Sequence, residues 1–500
     1  MRRALVLCLA ASALLRADVR LPALVSDHML LQQQTPVRIW GWADPGEDVT
    51  VGYRGQTVSG RADASGRWSV FLKPMQPAAP EEMTIAGKNR LTVQDVLVGE
   101  VWVGSGQSNM GFTMARVNNA DQEIASANFP EIRLFSVKLT VADQPADDVT
   151  GKWSRCTPET VKNFSAVLYL FGREIHQTRH VPVGLINSSW GGTPAQSWTS
   201  HAALEAEPAL QFILTDWQAT LGRYPAAKEK YDREMEAWKP EAEAATKAGK
   251  TPPAAPRPPA GPGHQNTPGG LYNAMIHPLL PFAIRGAVWY QGEANASAPH
   301  AYAYRRLFRL MIEDWRQAWG IGPFPFGFVQ LANFKTNGWW PLLRESQTET
   351  LNLRNTGMAL AVDVGNPTDI HPTDKQTVGH RLALWARATV YGENIIYSGP
   401  MYREMTTEGK QARIWFDHVG GGLEARGGAL KGFTIAGKDG VFVPAEASID
   451  GPTVVVSCPQ VPEPAAVRYG WDDNPESTLY NREGLPTNPF RTDTSVPGKP

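Results

Sequence analysis

A serine that follows an apolar run is the first side chain in this sequence that could carry out a reaction. Residues 96–103 are mostly apolar and predict a buried strand, and the small residues after them place Ser108 on a tight turn that opens into a helix. In an open α/β sheet ligands bind at the carboxyl ends of the strands, and a helix amino terminus there offers N–H groups to a developing negative charge. Ser108 is therefore a candidate nucleophile, although serine also commonly caps helices.

Polar residues follow two other predicted strands, whose carboxyl ends would bring them to the same rim as Ser108. Gly191 and Gly192 follow one of these strands, and paired glycines let backbone N–H groups face a ligand closely. Gln291 and Glu293 follow the other and supply an amide and a carboxylate. The rim would thus combine a nucleophile with neutral hydrogen-bond donors.

A further polar segment, residues 368–372, contains Asp369 and His371 and precedes a helix that we expect Thr373 to cap. A serine hydroxyl is a poor nucleophile at neutral pH, so it needs a neighbouring base and an acid that orients that base. Alone, each of these segments has an ordinary explanation as a turn, a strand end or a helix cap. Together they contain the groups that acyl transfer requires.

The elements that would position these residues alternate strands with amphipathic helices. We expect strands over residues 96–103, 132–137, 181–187, 284–290, 326–331 and 358–364. Apolar residues at helical spacing predict helices over residues 165–179 and 301–319. Strands separated by helices need right-handed crossovers, which predicts an α/β fold with a mostly parallel, three-layer sheet.

Changes in composition divide the chain into several units. Residues 1–17 carry two arginines, an apolar run and small residues, which is typical of a secretory signal peptide and predicts a secreted or periplasmic protein. Residues 18–95 predict an antiparallel β-sandwich, residues 96–395 the α/β domain and residues 396–500 a second β-rich domain. Within the α/β domain, residues 202–268 read as an insertion that is helical over 226–249 and an exposed, flexible proline-rich loop over 252–263.

The composition argues against several classes of partner. The chain has 48 basic and 49 acidic side chains, so it offers no strong field for nucleic acid or an anionic membrane surface. Histidines 277, 371 and 380 do not show zinc-site spacing, and no cofactor is predicted. After removal of the signal peptide Cys156 and Cys458 remain, either as one long-range disulfide or as reduced, buried thiols. The oligomeric state is left open.

Three short blocks in this order resemble those of the SGNH (GDSL-type) hydrolases. They are Gly106-Gln107-Ser108-Asn109-Met110, Trp289-Tyr290-Gln291-Gly292-Glu293 and Asp369-Ile370-His371-Pro372. Within that superfamily the sequence is most similar to the sialate O-acetylesterases and related carbohydrate acetylesterases. The resemblance covers about residues 96–391 without the insertion, and it implies a flavodoxin-like three-layer sheet with β-rich flanking domains. An α/β-hydrolase fits less well, because Met110 stands where the nucleophile elbow of that fold ends in glycine.

The resemblance also implies a role for each residue of the rim. Ser108 would be the nucleophile, His371 the base and Asp369 the acid that orients it. The oxyanion would lie among the N–H of Ser108, an N–H of Gly191 or Gly192, and the side-chain amide of Gln291. The remaining residues of the oxyanion and substrate-binding region would be Gln107, Asn109 and Glu293, although a carboxylate at position 293 could equally tie down a loop.

The sequence departs from the common family pattern at two places. Gln291 stands where many relatives have asparagine as the third oxyanion donor, a replacement typical of the carbohydrate esterase branch. Many relatives place the acid three residues before the histidine, where this chain has Thr368, so we assign the acid to Asp369 and keep Asp363 and Asp374 as alternatives.

These observations predict a serine esterase that removes acetyl groups from a sugar hydroxyl through an acetyl-enzyme intermediate. Sialic acid, acetylated at its 9-position, and acetylated plant polysaccharides such as xylan or xyloglucan are both open as substrates. The competing hypothesis is a non-catalytic carbohydrate-binding protein. The pair Trp339-Trp340 and the segment 468–475 are candidate aromatic platforms for a sugar ring.

Overall fold

The computed structural model describes residues 18–336 and 338–494. The predicted signal peptide, residues 1–17, lies outside the described residues. The helices are α1 (Ser108–Gly111), α2 (Ala120–Ala125), α3 (Pro158–Val161), α4 (Ala166–Arg179), α5 (His201–Ala206), α6 (Gln211–Lys247), α7 (His300–Trp319), α8 (Trp340–Glu349) and α9 (Lys375–Trp385). The strands are β1 (Leu30–Gln32), β2 (Val37–Trp42), β3 (Asp48–Tyr53), β4 (Gln56–Arg61), β5 (Arg67–Leu72), β6 (Ala78–Ala86), β7 (Arg90–Gly106), β8 (Phe129–Ser136), β9 (Trp153–Cys156), β10 (Val183–Ser189), β11 (Gly286–Tyr290), β12 (Phe326–Val329), β13 (Thr356–Ala359), β14 (Met401–Glu408), β15 (Gln411–Asp417), β16 (Leu423–Ala425), β17 (Phe433–Ala436), β18 (Val443–Pro444), β19 (Glu446–Asp450), β20 (Thr453–Ser457), β21 (Ala466–Tyr469), β22 (Leu479–Asn481) and β23 (Phe490–Arg491).

The centre of the fold is a sheet with the strand order β13-β12-β11-β7-β10-β8-β9. All neighbouring pairs in this order are parallel except β8 and β9, which are antiparallel. Parallel strands need crossover connections, and α4 and α7 each lie between two of them in the chain. The predicted α/β fold with a mostly parallel sheet is therefore confirmed.

Helices cover both faces of this sheet. The unbroken burial of β7 from Val96 to Gly106 requires this, because successive side chains of a strand point to opposite faces. Trp102 faces α4 and α9, with its ring 5.0 Å from that of Phe171 and 6.2 Å from that of Trp385. Trp289 on β11 faces the other way, towards α7, where its ring lies 5.9 Å from that of Trp315. The sheet is thus the middle of three layers, and both tryptophans of the strands are core residues.

Strand β7 is longer than the sequence pattern indicates, because it begins at Arg90 rather than at Val96. Its first half pairs with β6 and β1, for example Leu97 with Leu30. Its second half pairs with β10 and β11, for example Val103 with Ile186. One strand therefore belongs both to the amino-terminal β-rich unit and to the central sheet.

The flanking units are built from small sheets, as expected for β-rich accessory domains. Before β7, strand β2 pairs with β5 and strand β3 with β4 and β6, all antiparallel. After α9, the chain forms antiparallel sheets in the orders β14-β15-β20-β19 and β18-β17-β21-β23. Within residues 18–336 and 338–494, no helix combines the length and the apolar composition that crossing a membrane requires. Cys156 and Cys458 are both free thiols, so they do not form the long-range disulfide that was one alternative.

Several element boundaries differ from those that the sequence predicts, and three of them have a clear local cause. Helix α9 is capped by Asp374, which accepts the N–H of Thr377 at 3.0 Å, and not by Thr373. Strand β13 ends at Ala359 rather than at residue 364, because the chain turns there and the N–H of Val364 donates to Ala361. Helix α6 begins at Gln211, upstream of the predicted start at residue 226. It continues through Pro225, because the φ of proline is compatible with a helix and only one backbone donor is lost.

Strand β7 ends in a turn that only glycine can make. Gly106 has a φ of +133°, and a Cβ at this position would lie 2.2 Å from the carbonyl oxygen of Tyr290. The N–H of Gln107 donates to that same carbonyl at 3.0 Å, and the N–H of Trp190 donates to Gly106 at 3.0 Å. The turn before Ser108 is thereby held by the ends of both neighbouring strands.

Replacing Gly106 by alanine is expected to destabilise the protein by at least about 3 kcal/mol, since alanine is strained at this φ and its Cβ would clash with the carbonyl oxygen of Tyr290. Gly320, at the end of α7, is a matched control with a φ of +66° and open space around it. Gly320→Ala should cost only about 1 kcal/mol. Urea unfolding of the two variants measures the difference. Equal losses in the free energy of unfolding would show that the clash with Tyr290 adds nothing to the strain of the backbone angle.

Candidate active site

The structure brings Ser108 and His371 together. Ser108 begins α1 directly after the turn that ends β7, and His371 lies on the loop between β13 and α9. Nε2 of His371 is 2.9 Å from Oγ of Ser108, a hydrogen-bonding distance between residues 263 positions apart in the chain. A base within hydrogen-bonding distance of a hydroxyl is the arrangement that activates a serine for nucleophilic attack.

Asp369 lies on the side of the imidazole that faces away from Ser108. Its Oδ1 is 3.4 Å from Nδ1 of His371 and accepts the backbone N–H of the same histidine at 2.9 Å. The Asp369 side chain is 57% exposed, whereas that of His371 is 27% exposed. The acid thus holds the loop of the histidine and also contacts the ring.

The two alternative acids are engaged elsewhere. Asp363 forms a two-pronged ion pair with Arg381, with distances of 2.6 and 2.8 Å, and accepts a hydrogen bond from Tyr480 at 3.1 Å. Asp374 caps α9 through the backbone N–H and the hydroxyl of Thr377. The geometry therefore favours Asp369 over both.

Burial and nearby charge keep the imidazole of His371 uncharged at neutral pH. Burial is the largest influence and lowers the pKa of His371; Asp369 acts in the opposite direction, and the cations Lys375 and Arg116 lower the pKa further. A histidine must be neutral to accept a proton from serine. The electrostatics of the site therefore favour its action as a base.

The loop after β10 lies beside the serine. A Cβ on Gly191 would lie 3.3 Å from Cβ of Ser108, so the loop passes directly beside the hydroxyl. In the part of the chain that the structure describes, the backbone N–H groups of Ser108, Gly191 and Gly192 donate to no protein acceptor. These donors are free to bind a negatively charged oxygen.

Gln291 does not have free donors of this kind. Its Nε2 donates to Oδ1 of Asn295 at 2.7 Å and to the carbonyl of Thr193 at 3.3 Å, and its Oε1 accepts from the hydroxyl of Tyr304 at 2.8 Å. The side chain is fully buried. Both amide hydrogens therefore have acceptors within the protein, one of them the carbonyl of Thr193 directly after the glycine pair, and the role of Gln291 as an oxyanion donor stays a prediction.

The side chains of Gln107, Asn109 and Glu293 also bind protein groups. Oε1 of Gln107 accepts the N–H of Ala294 at 3.2 Å. Nδ2 of Asn109 donates to Oε1 of Glu293 at 2.6 Å and to the carbonyl of Ile370 at 3.0 Å. These contacts tie the serine turn to the histidine loop, so the three residues support the site from within the protein.

Lys375 is a buried cation beneath this site that sequence reasoning missed. It is fully buried, and its Nζ donates to Oδ1 of Asn109 at 2.6 Å. The same Nζ lies 4.8 Å from the centre of the Phe112 ring and 5.2 Å from that of Tyr290. A lysine at the first position of a helix ordinarily extends into solvent, so its type and position in the sequence give no signal of burial.

Asn109 stands between two buried ionisable groups of opposite sign. Burial is the main cause that lowers the pKa of Lys375 to about 7, and Glu293 opposes this shift. Burial likewise raises the pKa of Glu293, against the hydrogen bond from Asn109 and the charge of Lys375. Oε2 of Glu293 is buried and has no hydrogen-bond partner among the described residues. The amide of Asn109 is thus the bridge through which both groups contact the serine helix.

The other residues singled out from the sequence have structural partners. Trp340 is buried, and its indole donates to the carbonyl of Ala332 at 2.7 Å, while Trp339 is half-buried. Asp473, from the segment 468–475, accepts the N–H groups of residues 338 and 340, so the two candidate platforms contact each other. His277 contacts the carbonyl of residue 146 and His380 pairs with residue 174, which agrees with structural roles.

The chain is similar to known proteins at the levels of family, sequence and structure. A family model described as carbohydrate esterase, sialic acid-specific acetylesterase matches residues 263–387. The sialate O-acetylesterase of Mus musculus is 34% identical over 441 residues, which cover 77% of this chain and 76% of that protein. The Homo sapiens sialate O-acetylesterase is 34% identical over 425 residues, which cover 76% and 73%. The crystal structure of a carbohydrate acetylesterase from Xanthomonas citri covers 95% of this chain and 100% of its own, with a TM-score of 0.82 and 39% identity.

Replacing Lys375 by methionine should shift the acid limb of the pH–rate profile to higher pH. Lys375 is charged below its pKa of about 7, and that charge lowers the pKa of His371. Removing the charge of Lys375 raises the pKa of His371. The histidine of the variant is therefore protonated and inactive at a higher pH than the histidine of the unmodified protein. Hydrolysis of an aryl acetate across pH measures the limb. Replacing the exposed Lys138 by methionine is the control. An unmoved acid limb in the Lys375 variant would contradict the inference that the charge of Lys375 lowers the pKa of His371.

Proposed function

Because the chain belongs to the sialate O-acetylesterase family, we propose that Ser108, His371 and Asp369 remove acetyl groups from the hydroxyls of a sugar. As a member of that family the protein is a carboxylic ester hydrolase. The observation that carries the proposed mechanism is the 2.9 Å contact between Nε2 of His371 and Oγ of Ser108. A non-catalytic sugar-binding protein would have no need of that contact.

The reaction begins when Nε2 of His371 takes the proton of Ser108 as Oγ attacks the acetyl carbonyl carbon. The carbonyl oxygen becomes an oxyanion in a tetrahedral intermediate, and the intermediate collapses as the bond to the sugar oxygen breaks. The protonated His371 gives its proton to that departing oxygen, which leaves an acetyl group on Ser108. Water then attacks the acetyl-serine with the same histidine as base, and acetate leaves.

The oxyanion would bind to the backbone N–H groups of Ser108 and of Gly191 or Gly192. The support is that these groups have no acceptor within the described residues and that the glycine loop passes directly beside the serine. Preorganised N–H donors stabilise charge that develops in the transition state without rearranging. We assign Gln291 the role of holding this loop, because its amide hydrogens already bind Thr193 and Asn295.

Asp369 would orient the imidazole and stabilise its charged form. Its Oδ1 approaches Nδ1 at 3.4 Å, the nitrogen that must carry a proton when Nε2 accepts one from the serine. The second contact, to the backbone N–H of His371, holds the carboxylate in place beside the ring. Catalytic contacts in a free enzyme are often longer than in the complex with substrate.

The substrate that we favour is an O-acetylated sialic acid, on the basis of the family model and the mammalian relatives. The acetate esters of neutral plant polysaccharides are the alternative. Acetate release from the two classes, measured side by side with the same preparation, decides between them. A rate on acetylated xylan that exceeds the rate on 9-O-acetylated sialic acid would contradict our assignment.

Replacing Ser108 by alanine should reduce acetate release by at least about 10⁴-fold with no change in thermal stability, since the nucleophile itself is removed. Ser105, three residues earlier at the end of β7, provides a matched control, because its hydroxyl is buried without a hydrogen-bond partner among the described residues. Ser105→Ala should retain activity. Near-normal turnover of the Ser108 variant on an aryl acetate would exclude it as the nucleophile.

Asp369→Asn should lower kcat about a hundredfold or more while the protein remains folded, because the orienting charge is lost. Asp363→Asn should instead lower the free energy of unfolding, by about 3 kcal/mol, since it breaks a buried pair with Arg381. Asp374→Asn should change little, because asparagine caps helices equally well. Kinetics and unfolding of the three variants test the assignment, and full activity in the Asp369 variant would move the orienting role to another acid.

A further inference from the structure

A cation lies beside the catalytic histidine on the surface of the site. Arg116 ends the short 3₁₀ turn Met114–Arg116, and its side chain is exposed. Its Cζ is 4.2 Å from the centre of the Phe112 ring. The same ring stacks on His371 at an interplanar angle of 25°, with 6.2 Å between centroids. One aromatic ring therefore links the guanidinium to the base.

The backbone around Arg116 is held in place before any ligand binds. The N–H of Met114 donates to Phe164 at 3.1 Å, and the N–H of Ala115 donates to Lys162 at 3.0 Å. Beyond the turn, the N–H of Asn118 donates to Thr373 on the histidine loop at 3.0 Å. Because the turn and the stacking on Phe112 fix the guanidinium, little ordering would be needed to bind a ligand there.

Arg116 has no carboxylate partner among residues 18–336 and 338–494. By contrast, Arg173 and Arg381 each pair with an acid at 2.6 Å. A guanidinium presents a planar set of donors that matches a carboxylate with two parallel hydrogen bonds. The stacked face of Arg116 leaves the edge that carries these donors available to a ligand.

Two cations contact the ring of Phe112. Cζ of Arg116 lies 4.2 Å and Nζ of Lys375 lies 4.8 Å from its centre. The acids near these cations each have a contact in the protein: Oε1 of Glu293 accepts from Asn109, Asp369 contacts His371, and Asp374 caps α9. Arg116 is the cation of this group that solvent reaches, while Lys375 is fully buried.

We propose that Arg116 binds the carboxylate of the sugar substrate and thereby selects an acidic, sialic acid-type sugar over a neutral acetylated polysaccharide. This inference rests on the proposed function, since it assigns the substrate class of the same site. Arg116 is then a specificity residue, and it takes no part in the bond-breaking steps.

Turnover tests the proposal with three esters: an O-acetylated sialic acid, its carboxylate methyl ester and 4-nitrophenyl acetate. Arg116→Gln should lower kcat/KM on the free acid by about tenfold to a hundredfold, mainly through KM, because it removes a charge-assisted hydrogen bond. Because Arg116 also lowers the pKa of His371, the rates are compared on the plateau of the pH–rate profile, where the histidine is neutral in both proteins. There the rates on the methyl ester and on the aryl acetate should not change. Arg116→Lys should restore part of the loss, and the distant exposed Arg90→Gln is the charge-matched control.

Equal losses on all three esters would overturn the proposal, because they would indicate a role in positioning His371. An unchanged preference for the free acid over its methyl ester in Arg116→Gln would overturn it as well. Calorimetric binding of the O-acetylated sialic acid to Ser108→Ala and to Ser108→Ala/Arg116→Gln gives a second readout that needs no turnover. Weaker binding of the double variant supports the carboxylate site even if the serine mechanism fails, and equal binding refutes it.

Discussion

The backbone of Gly106 passes so close to the carbonyl of Tyr290 that no side chain fits between them. This contact joins the ends of β7 and β11, and the bond from Trp190 to Gly106 adds the end of β10. Three strand ends therefore converge on the residue that precedes the serine turn. The position of the hydroxyl follows from the sheet, and the glycine loop and the histidine loop are placed relative to it. The serine is thus held by strand ends, whereas His371 lies on the long loop between β13 and α9, which hydrogen bonds from Asn109 to Ile370 and from His371 to Asp369 hold in place.

A second level of organisation lies beneath the serine, in the amide of Asn109. Its nitrogen donates to Glu293 and to the histidine loop, and its oxygen accepts from Lys375. An amide is the side chain that can donate and accept at neighbouring atoms, so it satisfies an acid and an amine that are both removed from water. Burying such charges is costly unless each is hydrogen-bonded. Here Asn109 supplies a hydrogen bond to each of the two groups, and its bond to Ile370 also holds the serine turn against the histidine loop.

Much of the fold could be predicted because its physical causes are local. Apolar runs that end in small or polar residues indicated the central strands, and the rim position of Ser108 and His371 followed from the geometry of parallel sheets. The residues that escaped prediction depend on distant partners. The burial of Lys375 is set by Phe112 and Tyr290, which lie far away in sequence, and the engagement of Gln291 is set by Thr193 and Tyr304. A sequence pattern shows that a side chain can donate a hydrogen bond, but it does not show which acceptor takes it.

The length of β7 has a consequence for how the protein unfolds. One continuous hydrophobic core contains Val93 and Val96 from the first half of β7 and Val101 and Val103 from its second half. The carboxyl-terminal unit has a core of its own. We therefore expect the amino-terminal unit and the central sheet to unfold together. Deleting the residues before β7 would remove the partners of its first half and leave unpaired backbone groups beside exposed apolar side chains. An open strand edge of this kind promotes aggregation.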